Sequence, residues 1–253
     1  MILDLLYPGR CPVCNEILPF GYHGACRSCA PSLSYVSQPA CMGCGKELEP
    51  AEAEEEYCRD CLRHRRSFAG GIALLNYNEA ARRIMMGLKY KNRREYARFL
   101  ADEMLRRHGR RILRLKADAL VPVPIHRDRR RERGYNQAEL LAKELSRGLS
   151  TALSAQNNDS SSDCRRKDGI PVKNLLLRVE NTAAQKSLGY EARQKNEAKA
   201  FRAAGSCGEY RRLLLVDDIY TTGATAQACT QALLSAGAGE VWILSMAIGM
   251  GRQ

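Results

Sequence analysis

Eight cysteines stand before residue 62 as four Cys-x-x-Cys pairs: Cys11 with Cys14, Cys26 with Cys29, Cys41 with Cys44, and Cys58 with Cys61. Eleven residues separate the first two pairs and thirteen the last two, the spacing at which two knuckles close four thiolates around a tetrahedral zinc ion. The segments between them are rich in Pro, Gly and polar residues and too poor in apolar ones for a core of their own. Metal binding therefore supplies much of their folding free energy. Two structural zinc ions in tandem ribbons follow, although an interleaved pairing of the knuckles satisfies the same spacing. Four thiolates leave no open coordination position, so a catalytic zinc is not expected, and His23 and His64 are not needed as ligands. Glu52 to Glu56 has the character of a solvated loop tip.

Beyond residue 66 the composition changes. Residues 1 to 66 carry a net charge of −2 and the remainder +14; Ala81 to Lys116 alone holds 13 basic and 3 acidic residues. Such a field attracts polyanions, either a pyrophosphate-bearing small molecule or nucleic acid. No apolar run approaches the roughly 18 residues of a membrane span. Met1 to Tyr7 carries Asp4 without a basic leader, so a cytoplasmic protein is expected. The length of 253 residues accommodates two unequal domains, expected at 1–66 and 67–253.

The chemistry concentrates in Leu213 to Thr225, LLLVDDIYTTGAT. Leu213 to Val216 is continuously apolar, as in a strand covered on both faces. Asp217 and Asp218 follow, then Thr221-Thr222-Gly223-Ala224-Thr225 opening a helix. Hydroxyls, a glycine that admits close approach and amides at a helix N-terminus together suit a phosphate. Adjacent carboxylates suit ribose hydroxyls, a magnesium shell, or positive charge developing on a sugar. The combination describes a ribose 5-phosphate cradle. A strand-to-helix turn with an Asp cap is the simpler alternative, but it needs only one acid and no Thr pair.

The elements around the cradle alternate as in a parallel α/β sheet. Ile72–Tyr77 is expected as a strand and Asn78–Gly87 as a helix; Lys89 and Lys91 then stand at a junction before a basic helix from about Arg93 to Arg107. Asp118–Pro124 is expected as the first core strand. It leads into a loop with five arginines between Ile125 and Gly134, then a helix over Asn136–Leu149. In open α/β sheets ligands bind at the carboxyl ends of strands, and the planar Arg fork donates in pairs to phosphate oxygens. Arg129 and Arg133 are the candidates, supported by Asn136 and Gln137; an exposed basic turn or nucleic-acid patch is the alternative. His126 is placed for acid chemistry. Residues 150–173, with Cys164, have the composition of a disordered insertion. Asn174–Val179 is expected as the second core strand, Ala224–Ala236 as a helix and Glu240–Ile248 as the last strand.

VDDIYTTGAT resembles the signature of type I phosphoribosyltransferases that binds 5-phosphoribosyl 1-pyrophosphate (PRPP). That resemblance implies that Asp217 and Asp218 lie on the ribose hydroxyls, with magnesium, and that Thr221, Thr222, Gly223, Ala224 and Thr225 wrap the 5-phosphate. It gives the Arg129–Arg133 loop to pyrophosphate and the Lys89-Tyr90-Lys91 element to the ligand. The run Thr182, Gln185, Leu188, then Arg193, Asn196 and Phe201, resembles the closing lid of the ComF branch, which makes Gln185 and Arg193 lid contacts; a surface hairpin explains them nearly as well. With the ribbons included, the resemblance to the ComF family covers nearly the whole chain. It implies a parallel, Rossmann-like phosphoribosyltransferase domain behind a small zinc-ribbon domain. It also implies natural transformation, with single-stranded DNA and a DNA-uptake helicase or recombination mediator as partners. A transferase of nucleotide salvage with no DNA role is the second expectation. No residue presents itself as a base for an acceptor, and no Cys follows Met1 as a glutamine-using transferase would need.

Overall fold

The computed structural model of the chain describes residues 8–52, 54–156, 169–179 and 200–249. Four parallel strands form the central sheet: β1 (Gly70–Asn76), β2 (Ala119–Pro122), β5 (Arg212–Tyr220) and β6 (Glu240–Ile248), in the order β1-β6-β5-β2. Both faces are covered, so these strands are almost wholly buried rather than alternating. On one face lie α2 (Glu79–Tyr90), α3 (Glu95–Arg114) and α5 (Gln137–Gln156). Ile84, Leu88, Leu100, Met104, Leu141 and Leu145 there pack with Ile72, Leu120, Leu214, Val216 and Leu244. On the other face α6 (Ala224–Ser235) packs Ala226, Cys229 and Leu233 with Val121, Leu213, Leu215 and Ile243.

The helices leaving the neighbouring strands β2 and β5 thus go to opposite faces. This divergence opens a crevice at their carboxyl ends, the position where open α/β sheets bind ligands.

Two expected elements differ. Asn174–Val179 does not join the core sheet: β3 (Leu176–Arg178) pairs antiparallel with β4 (Phe201–Ala203) in a separate two-stranded sheet. Leu177 is half exposed, so this is a one-sided strand despite its three leucines. The arginine loop is instead a short helix, α4 (Arg127–Arg133). His126 Nδ1 accepts from the Asp128 N–H at 3.3 Å, and Gly134 ends the helix at φ 80°. Asp128 near the start and three arginines in the last turn complement the helix dipole.

The stretch 150–173 is ordered at both margins. Helix α5 runs to Gln156. Ile170 is buried, and Leu120 bridges Val172 in parallel, with its N–H on Pro171 O and its carbonyl receiving the Lys173 N–H. Cys164, Gln185 and Arg193 lie outside the described residues.

The cysteine-rich segment packs directly on the sheet. Residues Ser34–Val36 run antiparallel to β1, with Val36 N–H on Leu74 O and Asn76 N–H on Ser34 O, and so cover the β1 edge. The first ribbon joins the helix-covered face through Cys11, Leu18, Ala25 and Leu33, where Tyr96 donates to Cys11 O at 3.3 Å. The second joins the opposite face through Cys41, Cys44, Leu48 and Cys58 beside Phe68 and Ala73. A Cβ at Gly71 would lie 2.6 Å from the Cys44 carbonyl, so the ribbon backbone sits where only glycine leaves room. Glu52 is buried rather than at a solvated tip; its carboxylate accepts from the Arg59 N–H at 3.2 Å and tethers the loop to α1 (Arg59–Arg63).

Candidate functional site

The thiols of Cys11, Cys14, Cys26 and Cys29 form one cluster and those of Cys41, Cys44, Cys58 and Cys61 another, the sulfurs of each within 4.8 Å of one another. The pairing is therefore sequential, not interleaved. Backbone amides support both clusters: the Cys26 N–H donates to Cys11 Sγ at 3.4 Å and the Cys58 N–H to Cys41 Sγ at 3.3 Å. Such donors offset thiolate charge and orient metal ligands. Four converging sulfurs with amide support fit a closed structural zinc site in each ribbon.

At the carboxyl end of β5, Asp217 and Asp218 are buried. Asp217 Oδ1 accepts from the Asp218 N–H at 2.8 Å, and Asp218 Oδ1 from the Ile219 N–H at 3.0 Å. Lys89, in the last turn of α2, pairs with Asp218 Oδ2. Burial, then the charge of Asp218, push the Asp217 carboxyl well above the usual carboxylate range, with Lys89 pulling the other way. Two adjacent buried acids with one shared cation form an incompletely neutralised group, poised for a cation or for hydroxyl donors.

Thr221 is exposed, Thr222 and Thr225 are half-buried, and Gly223 and Ala224 are buried. Gly223 caps α6 at φ 76°, ψ 5°, a left-handed conformation that other residues adopt at a cost. Thr222 Oγ1 faces the Ala224 N–H at 3.5 Å. The loop thus presents hydroxyls and amides at a helix N-terminus.

Helix α4 brings its arginines to the neighbouring strand end. Arg129 and Arg131 are exposed and make no ion pair among the described residues, whereas Arg130 pairs with Glu139 at 3.3 Å. Arg133 donates to Gln137 and lies 5.2 Å from the Tyr90 ring. Asn136 caps α5, accepting from the Ala138 N–H and donating to Val123 O, both at 3.0 Å. Tyr135 donates to Leu88 O, and Arg94 stacks on its ring at 4.6 Å. Through Tyr135 the basic stretches at 89–94 and 127–133 meet on one rim. Lys91 stands apart from Asp218: it follows α2 and lines a groove beside Pro12, Asn15 and Met86.

Two groups at the site, Arg66 and Gln227, lie outside the motif, and Tyr220 lies within it without an expected role. Arg66 donates to Thr222 O at 2.9 Å while paired with Asp60 at 2.6 Å. Gln227 accepts the Ser67 N–H at 2.9 Å and donates to Ser67 Oγ at 2.6 Å. Tyr220 lies under Gly223 and edge-on to Phe68, ring centroids 6.3 Å apart. No local signal singled out Arg66 or Gln227, since α6 carries other polar residues, among them the buried Thr230.

Comparison with known proteins matches the description "Double zinc ribbon domain" to residues 2–62. Competence protein F of Haemophilus influenzae is 32% identical over 200 residues, covering 76% of this chain and 78% of that protein. The DNA utilization protein YhgH of Escherichia coli K12 is 30% identical, covering 77% and 80%, and competence protein ComFC of Bacillus subtilis is 25% identical, covering 71% and 67%. Among the described residues no helix is long and apolar enough to cross a membrane. Paired zinc ribbons, a parallel sheet and identity of this extent along three quarters of the chain agree: the chain belongs to the ComF family.

Proposed function

We propose that the crevice between β2 and β5 binds PRPP with magnesium, and that the protein uses this site in DNA uptake. The observation that carries the reading is the buried Asp217–Asp218 pair, held by Lys89 on one side and followed, five residues after Asp218, by the left-handed Gly223 at the start of α6. Carboxylates for ribose hydroxyls and amides for a 5-phosphate belong to one strand-loop-helix connection, and the exposed Arg129 with Arg133 supplies forks for pyrophosphate. When bound, magnesium neutralises pyrophosphate charge; Asp217 and Asp218 would hold it together with the ribose. The relatives named for competence and DNA utilization support the cellular role. The exposed Lys91, Arg94, Arg129 and Arg131, with the exposed Tyr90 beside Arg133, offer phosphate contacts and a stacking face for single-stranded DNA.

The test is titration calorimetry of PRPP with magnesium on the wild type and on Asp217→Asn/Asp218→Asn, alongside single-stranded DNA binding at two salt concentrations and transformation in cells. Binding by the wild type alone is expected. If PRPP binds neither protein, the nucleotide-sugar reading is wrong. A double variant that loses PRPP yet transforms normally would separate the ligand from the pathway. Pyrophosphate release in the presence of an acceptor base would favour a salvage transferase instead.

A further inference from the structure

Arg66 lies four residues before the first strand and five after the last zinc-ribbon cysteine, Cys61. Its side chain is only 4% exposed, and a single amino nitrogen reaches both Asp60 Oδ2 and the Thr222 carbonyl. Asp60 lies between Cys58 and Cys61, so its backbone is set by the knuckle of the second cluster. The contact therefore runs from a metal-binding turn to the peptide that opens α6.

The Thr222 carbonyl decides where the next amide points. In a trans peptide C=O and N–H are fixed in opposite directions. With its carbonyl held towards Arg66, the Thr222–Gly223 peptide must direct the Gly223 N–H away from the ribbon. Reversal of that peptide would replace a donor by a carbonyl oxygen on the side away from the ribbon. The paired bonds of Gln227 to Ser67 hold the same connecting segment against the first turn of α6, and the Tyr220 ring fills the space beneath Gly223.

We infer that Arg66 is a positioning residue: it latches the Thr222–Gly223 peptide in the anion-binding orientation and so makes the second zinc ribbon, but not the first, a working part of the ligand site. This rests on the PRPP reading for the identity of the anion, but the latch itself is independent of it. Neither the arginine nor the second ribbon need touch the ligand.

The variants are Arg66→Met, which keeps length and apolar volume but removes the donors, and Arg66→Lys, which restores one cationic donor. Two measurements are made on the full-length, zinc-loaded protein. Hydrogen exchange at the amides of residues 222–226 tests the latch without any ligand: Arg66→Met should exchange at least about ten-fold faster there, with residues of α2 unchanged, and Arg66→Lys should lie between. PRPP affinity with magnesium should fall about ten- to hundred-fold in Arg66→Met, the weight of one hydrogen bond to a charged group, and recover in part in Arg66→Lys, with the zinc content of all three proteins equal. A double variant of the first cluster, Cys14→Ser/Cys29→Ser, should leave loop exchange unchanged. Unaltered loop exchange in Arg66→Met overturns the latch, as does equal loss of protection on disrupting the first cluster. Faster loop exchange in a protein whose wild type does not bind PRPP keeps the latch and removes only the ligand's identity.

Discussion

Replacing Asp217 by Asn is expected to stabilise the protein. Asp217 is 9% exposed, follows the fully buried run Leu213–Val216, and adjoins Asp218 at 5%. Its folded carboxyl titrates well above the usual range because of burial and then the Asp218 charge, whereas an unfolded Asp titrates near ~3.9. The folded state therefore binds the proton more tightly. The contribution of this group is fully present below the unfolded value and is lost as pH climbs from there through the folded one. At pH 7 holding the proton costs about 1.36 kcal/mol for each of the ~3 pH units above the unfolded value, about 4 kcal/mol at most. Ionisation with help from Lys89 is the only cheaper course.

Asn needs no proton, and its side-chain oxygen can still accept the Asp218 N–H that Asp217 receives at 2.8 Å. A gain of about 1–3 kcal/mol corresponds to a Tm raised by about 3–10 °C in a chain of this size. Melting curves of both proteins at rising pH should show the gap widening until the folded carboxyl ionises and then levelling. An unchanged or lower Tm, or a gap that narrows with pH, would refute the electrostatic account of this site.

Zinc analysis of carefully reduced protein should find about two ions per chain, and Cys41→Ser/Cys44→Ser about one; finding none in the wild type defeats the ribbon assignment. Gly223→Ala should cost about 1–3 kcal/mol in urea unfolding, since the left-handed backbone alone costs ~1–2. The new Cβ would also meet the Tyr220 hydroxyl at 2.2 Å, so wild-type stability in this variant would show that the loop geometry is wrong.

Much of the site was legible because its signals are local. An apolar run into two acids and TTGAT gave β5 and the start of α6, and the spacing gave two four-cysteine sites, although only the structure shows that the knuckles pair in sequence order. The polar face that a lone strand exposes was not legible at Leu175–Leu177, since three leucines imitate a core strand, and only the pairing of β3 with β4 turns Leu177 outward. Helix α4 was hidden because a run of arginines appears as a loop to a pattern based on apolar period, although arginine is a good helix former. Lys91 was grouped with Lys89 by the resemblance; residues two apart at a helix end point to different sides, and of the two only Lys89 pairs with Asp218. Arg66 and Gln227 were invisible for a different reason. Their partners, Thr222 and Ser67, are more than 150 positions away in sequence, and no local pattern encodes such a contact.

The placement of the ribbons bears on why a chain would join zinc sites to this sheet. A four-stranded parallel sheet has two open edges, and here Ser34–Val36 covers one while residues 170–173 cover the other. The inter-ribbon segment thus does the work of a fifth strand. The loop at Thr221–Gly223 has a related problem: Thr221 is exposed and Thr222 half-buried, so beyond the Tyr220 ring beneath Gly223 little apolar packing holds it. A thiolate cluster imposes geometry with few residues and no core of its own, so it can stiffen a solvent-facing loop where apolar packing is not available. The balance of residues 1–66, net −2 against +14 elsewhere, gives that support without adding to the basic charge of the rest of the chain. The ribbon segment is then better understood as the sheet's edge strand and the loop's support than as a separate module tethered to them.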